Sequence, residues 1–276
     1  MTVNVGNLVY FITLLVFIIF TVLVGSILKK TNEKTQKIVL ISIAFINLAV
    51  HFLKLLIPQY RESLPTSFRK VTFENICATT TIMMPFVMLL KNKVMKDYIF
   101  YIGVLGGLAA IVYPAEAIGK EINDLDVIRF YICHMILFIV PFYTVLFGIH
   151  KLSLKRVILF PLTFFIVEYL ILANEIVLME AGFVDFRADN FLEYNYRNSN
   201  FIFGPTDYLK PISDKIIDPL VPDVFKTVGD GQYAGEFKYI PVLWLVVPGL
   251  IYLTIIGAIL CLLMNKISKK ETFNFN

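Results

Sequence analysis

Between Leu8 and Leu28 the chain runs for 21 residues without a charged side chain. As an α-helix, a run of that length covers the roughly 30 Å hydrocarbon thickness of a bilayer. Six further stretches are long enough to do the same, or nearly so with some tilt: Ile38 to Ile57, Glu74 to Leu90, Tyr98 to Pro114, Val127 to Ile149, Val157 to Met179 and Pro241 to Met264. Lipid offers no partner to an unpaired backbone amide or carbonyl, and the period-2 alternation of a transmembrane barrel is absent, so these segments are expected to be helices. The predicted fold is all-α: a polytopic membrane bundle of seven transmembrane helices, a single domain over residues 1–276. A chain that is 58% hydrophobic and only 17% charged, with a mean hydropathy of +0.74, fits no other class of this size.

Orientation follows from the short loops. Residues 29–37, 91–96, 150–156 and 265–276 carry most of the short-loop Lys and Arg and fall on one side. By the positive-inside rule the N-terminus is expected outside and the C-terminus in the cytoplasm. The net charge of +4 goes into this asymmetry, and no nucleic-acid surface is read from it. The first helix has neither a basic region before it nor a small-residue cleavage site after it, so it is expected to be retained. Residues 180–240 form a long external loop before helix seven, and aromatic clusters such as FLEYNYRNSNFIF suggest a lid lying on the bundle. Cys77, Cys133 and Cys261 all sit in apolar segments with no zinc-like or disulfide spacing, so no metal site and no cofactor are expected.

Polar residues collect at one depth. Asn47, His51 and Lys54 share a helical face at i, i+4, i+7, and Glu74, Cys77 and Thr81 share another at i, i+3, i+7. Arg129 and His134 enter with the fifth helix; Glu168, Asn174 and Glu175 lie on the sixth. With Asn75, nearly all of these fall in the external halves, whereas a conducting path needs polar groups through the whole thickness. The pattern describes a pocket that opens outward. Within it Cys77 and His134 are the pair able to act as nucleophile and base, with the helix dipole favouring a thiolate at Cys77 and with Asn75 or Arg129 available to an oxyanion. Arg129 has two readings, an anchor in the headgroup region or a partner of Glu74 or Glu116. A lone membrane cysteine or histidine is more often a packing residue, so spacing alone leaves both readings open.

The segments FENICATTTIMMPFVMLL, YIGVLGGLAAIVYP and RFYICHMILFIVPFY resemble the YwaF-like bacterial integral membrane proteins, related to the eukaryotic transmembrane-protein-164 group. The resemblance covers roughly residues 8–180 and the last helix. It implies an acyltransferase acting on phospholipid, with Cys77 as acyl-accepting nucleophile and His134 as its base, in a multi-pass protein of the bacterial plasma membrane. Asn75 stands where the family usually carries a histidine.

Three functions follow from this reading. The first is a membrane-embedded acyl-transfer or lipid-ester hydrolysing enzyme using Cys77 and His134. Asn75, Glu74, His51, Asn47, Arg129, Glu168 and Glu175 would bind a phospholipid or lipid-like ligand. The second is a non-enzymatic ligand-binding protein, such as a transporter capture subunit or a sensor. The third is a scaffold whose polar residues only join helices.

Overall fold

The computed structural model describes residues 1–184, 199–205, 210–229, 235 and 237–273. Its helices are α1 (Leu8–Lys29), α2 (Glu33–Phe52), α3 (Pro58–Glu62), α4 (Ile76–Leu89), α5 (Lys93–Val112), α6 (Leu125–Leu146), α7 (Leu159–Glu180), α8 (Lys210–Ile216) and α9 (Val246–Phe273). Six helical segments among the described residues are long and apolar enough to cross a membrane: Leu8–Lys29, Glu33–Leu56, Lys93–Val112, Leu125–Leu146, Leu159–Glu180 and Leu243–Ser268.

The expected third span is shorter than the rest. α4 has 14 residues, which at 1.5 Å per residue is about 21 Å, less than the thickness of the hydrocarbon layer. It begins at Ile76 because Asn75 caps it: the Asn75 side-chain oxygen accepts from the Ala78 amide at 2.9 Å. Glu74 therefore lies outside the helix. The same device starts four other helices, with Asn7, Asn32, Asn92 and Asp124 each accepting backbone amides of the first turn.

α6 is the hub. Its spanning window is 67% buried, whereas those of α1 and of Leu243–Ser268 are 17% buried and leave apolar faces for lipid. α5 lies against α6 through two glycines four residues apart. A Cβ at Gly103 would stand 2.7 Å from the Leu137 carbonyl oxygen, and one at Gly107 would stand 2.8 Å from that of His134. Only small residues permit so close an approach.

The region expected as an external loop contains ordered pieces among its described residues. They include α8 and a two-stranded antiparallel hairpin, β1 (Lys226–Val228) with β2 (Phe237–Tyr239), paired Lys226 to Tyr239. The hairpin adds a small β element to a bundle expected to be wholly helical. Val221, Tyr239 and Trp244 form a separate apolar cluster beneath it, with Phe201 packed on its side. Within the 180–240 segment, residues 185–198, 206–209, 230–234 and 236 lie outside the described residues.

Candidate functional site

The end of the bundle where α2 and α5 finish and α4 and α6 begin encloses a cavity of about 460 Å³. That size suits a small-molecule or lipid-headgroup pocket. Its walls include Cys77 from α4 and the capping Asn75 before it, Gly106 from α5, His134, Arg129 and Cys133 from α6, and His51 and Lys54 from the end of α2 and the 3₁₀ turn that follows it. Asn200 and Phe201 line it from the far segment.

Cys77 is the second residue of its helix. Position alone leaves its N–H without an intrahelical carbonyl, so the sulfur, an unpaired backbone donor and the positive end of the helix dipole lie together. The Asn75 oxygen is committed to the cap, and its amide nitrogen is not. Gly106 leaves space beside the thiol: a Cβ there would be 3.3 Å from Cys77 Sγ.

His134 is oriented by the backbone. Its Nδ1 lies 2.8 Å from the Phe130 carbonyl oxygen, and the ring packs on Phe130 with centroids 4.3 Å apart. A carbonyl only accepts, so Nδ1 carries a hydrogen and the neutral ring holds its lone pair on Nε2. Among the described residues no hydrogen bond joins His134 to Cys77, although both line the one cavity.

The cationic wall is held unequally. Arg129 donates from Nε and Nη2 to Asp126 Oδ1 at 3.0 and 2.7 Å, and from Nη1 to Cys133 Sγ at 4.0 Å. Asp126 in turn accepts from the Tyr60 hydroxyl at 2.9 Å and from Lys120 at 3.3 Å. Burial and this carboxylate push the Tyr60 phenol well above its ordinary pKa. Lys54 is 6% exposed. It donates to the Lys70 carbonyl at 3.1 Å, with no carboxylate within 4 Å among the described residues. His51 Nε2 is buried without a partner among them.

Four residues expected in the pocket serve as joints instead and are not among those lining the cavity. Asn47 donates to the Cys133 carbonyl at 3.4 Å. Glu74 accepts from Lys70 at 2.5 Å and lies 3.6 Å from Arg69, so it is not the partner of Arg129. Arg69 also reaches Glu175 at 2.7 Å, tying α7 to the loop before α4. Glu168 accepts from the Asn200 amide through Oε1, while its Oε2 is buried without a partner among the described residues.

Asn200, a residue with no site signature in the sequence, joins these elements. Its Oδ1 accepts from the Ile76 amide at 3.4 Å, at the start of the Cys77 helix. Asn200 and Phe201 both have φ of 62°, a left-handed conformation unfavourable to non-glycine residues. Trp244 fixes them, its Nε1 donating to the Phe201 and Ile202 carbonyls at 3.0 and 3.2 Å. Among the described residues no group of three or more His, Cys, Asp or Glu is arranged to hold a metal ion.

No curated protein and no solved structure matches the chain. The TMEM164 family matches residues 3–213, most of the sequence and every residue named in the cavity wall. Together with six membrane-length apolar helices, the match makes this a multi-pass membrane protein, and the chain belongs to the TMEM164 family.

Proposed function

We propose that the chain is a membrane-embedded acyl-transfer or lipid-ester hydrolysing enzyme in which Cys77 is the nucleophile and His134 the base. The observation that carries this reading is the shared cavity: Cys77 and His134 both line it, and the Nδ1 bond to Phe130 leaves the His134 lone pair on Nε2. Cys77 Sγ attacks the ester carbonyl carbon while its proton passes to Nε2, directly or through one water. The carbon–oxygen bond then breaks and the alcohol leaves with that proton. An acceptor hydroxyl, from water or a second lipid, gives its proton to Nε2 and attacks the thioester. The proton returns to sulfur as the thiol departs. The Cys77 N–H, the Asn75 amide and Arg129 are the candidate donors to the oxyanion.

The orientation that goes with this reading has the cavity facing outward and the basic loops in the cytoplasm of a bacterial plasma membrane, with the chain in the YwaF-like branch of the family. The segment around Asn200 and Phe201 serves as its lid. Incubating purified protein with a phospholipid ester tests the reaction. Released or transferred acyl chain should disappear in Cys77→Ala and His134→Gln, both still monodisperse. Unchanged turnover in either variant rejects the mechanism.

A second reading, ligand binding without chemistry, draws on Lys54, buried in the same wall with no carboxylate within 4 Å among the described residues. It requires that a bound lipid be recovered unaltered and that Cys77→Ala retain it.

A further inference from the structure

The opposite end of the bundle carries a second cavity. It has a volume of about 420 Å³ and lies where α5 begins and where α6 passes into α7. It is separated from His134 by about 20 Å along α6. Lys93 from the first turn of α5, Lys151 from the loop after α6 and Arg156 from the turn before α7 all line it, with His150 and Ser153. Basic residues gather at a cytoplasmic membrane edge without forming any site, so their number alone decides nothing.

Two features set this group apart. Arg156 is held in place from beneath: it donates from Nε to Asp97 Oδ2 at 2.6 Å and from Nη2 to Asp97 Oδ1 at 3.1 Å and to the Lys151 carbonyl at 2.8 Å. His150 Nε2 lies 2.6 Å from the same buried carboxylate. The guanidinium is therefore fixed at the pocket wall with Nη1 uncommitted among the described residues. Lys93 and Lys151, exposed and from separate elements, have no carboxylate within 4 Å among the described residues, so Asp97 is the one acid set against three cations.

A fixed, forked cation flanked by two exposed ammonium groups in a concave site is the arrangement that recognises phosphate oxygens. The geometry points to a phosphate-binding site formed by Lys93, Lys151 and Arg156 at the end of the bundle remote from Cys77. Its ligand is a phosphate ester, either on an anionic lipid headgroup of that leaflet or on a soluble molecule. The site is independent of the reaction proposed above.

Full-length protein in mixed micelles, titrated with fluorescent phosphatidic acid, tests the lipid source. A direct charge-assisted contact to a phosphate oxygen contributes about tenfold in affinity. Lys93→Gln with Lys151→Gln should weaken binding about a hundredfold, and each single variant about tenfold. Exchange of Lys30 and Lys34, exposed at the same end but not lining the pocket, should change it less than twofold. Thermal stabilisation by inorganic phosphate, against chloride at equal ionic strength, tests the soluble source. A shift in wild type that the pocket variant loses, with lipid affinity unchanged, assigns the site to a free phosphate compound. Equal losses in the pocket and control variants, or no loss in either arm, overturn the site.

Discussion

Gly106 and Gly107 are neighbours on α5 with opposite duties, and exchanging each for alanine separates packing from chemistry. At Gly107 an added Cβ meets the His134 carbonyl oxygen at 2.8 Å and Phe138 Cβ and N at 2.9 Å. Two of these three atoms belong to the backbone of α6 and cannot turn away, so α5 must shift. Overpacking of this kind costs about 1–3 kcal/mol, against about 1 kcal/mol recovered from the better helix propensity of alanine. With three contacts inside 3.0 Å the upper end applies, a net loss of about 1–2 kcal/mol. At Gly106 the added Cβ meets only Cys77 Sγ, at 3.3 Å, and the thiol can yield by a few tenths of an ångström into the cavity. Gly106→Ala should be neutral or up to about 1 kcal/mol more stable, yet displace the sulfur from its working position. An ångström of misplacement can slow a reaction about a hundredfold, so a smaller shift should slow acylation about tenfold. Thermal unfolding in detergent reads the first quantity, and mass spectrometry of the Cys77 peptide after timed exposure to an acyl donor reads the second. The reasoning is refuted if both variants melt alike, or if Gly106→Ala acylates as fast as wild type.

Asp126→Asn strands the largely buried Arg129 without its carboxylate; loss of such a partner costs about 3 kcal/mol or more, so the unfolding temperature should fall steeply, and an unchanged melting curve would contradict Asp126 as the stabilising partner of Arg129. Asn75→Ala removes the cap of α4 and should cost about 1 kcal/mol, whereas Asn75→Ser should retain most of it; identical stability of the two would contradict the capping role. Trp244→Phe removes the indole bond to the Phe201 and Ile202 carbonyls, which keep backbone donors from Gly204 and Val242, so the cost should be about 1 kcal/mol. Amide exchange over residues 199–205 should accelerate, and no change there would dissociate Trp244 from the Asn200 segment.

Much of the architecture was legible because membrane helices announce themselves by length and apolarity, and the capping Asn or Asp before five of them was present as a local signal. The exception, α4, is instructive: Glu74 begins an apolar run in the sequence but is drawn out of the helix by Lys70 and Arg69. Cys77 and His134 were identifiable as residues, and their common cavity follows from two helix starts at the same end. Partner choice was less legible. Arg129 and Asp126 stand three apart, a local pairing visible in the sequence, yet Glu74 and Glu116 were the candidate partners. Gly106 could not be told from Gly107 without the rotation of α5 against α4 and α6. Asn200 bridges Glu168 and Ile76 over more than 30 and 120 residues of chain, a long-range contact with no local signature beyond aromatic density nearby.

The most direct test is to incubate the protein with an acyl-ester donor and map any adduct by peptide mass spectrometry. The account predicts one acyl group on Cys77, removed by neutral hydroxylamine as a thioester and absent in His134→Gln. An unmodified Cys77 in protein that turns the donor over, or an adduct on Cys133 or Cys261 alone, would contradict it.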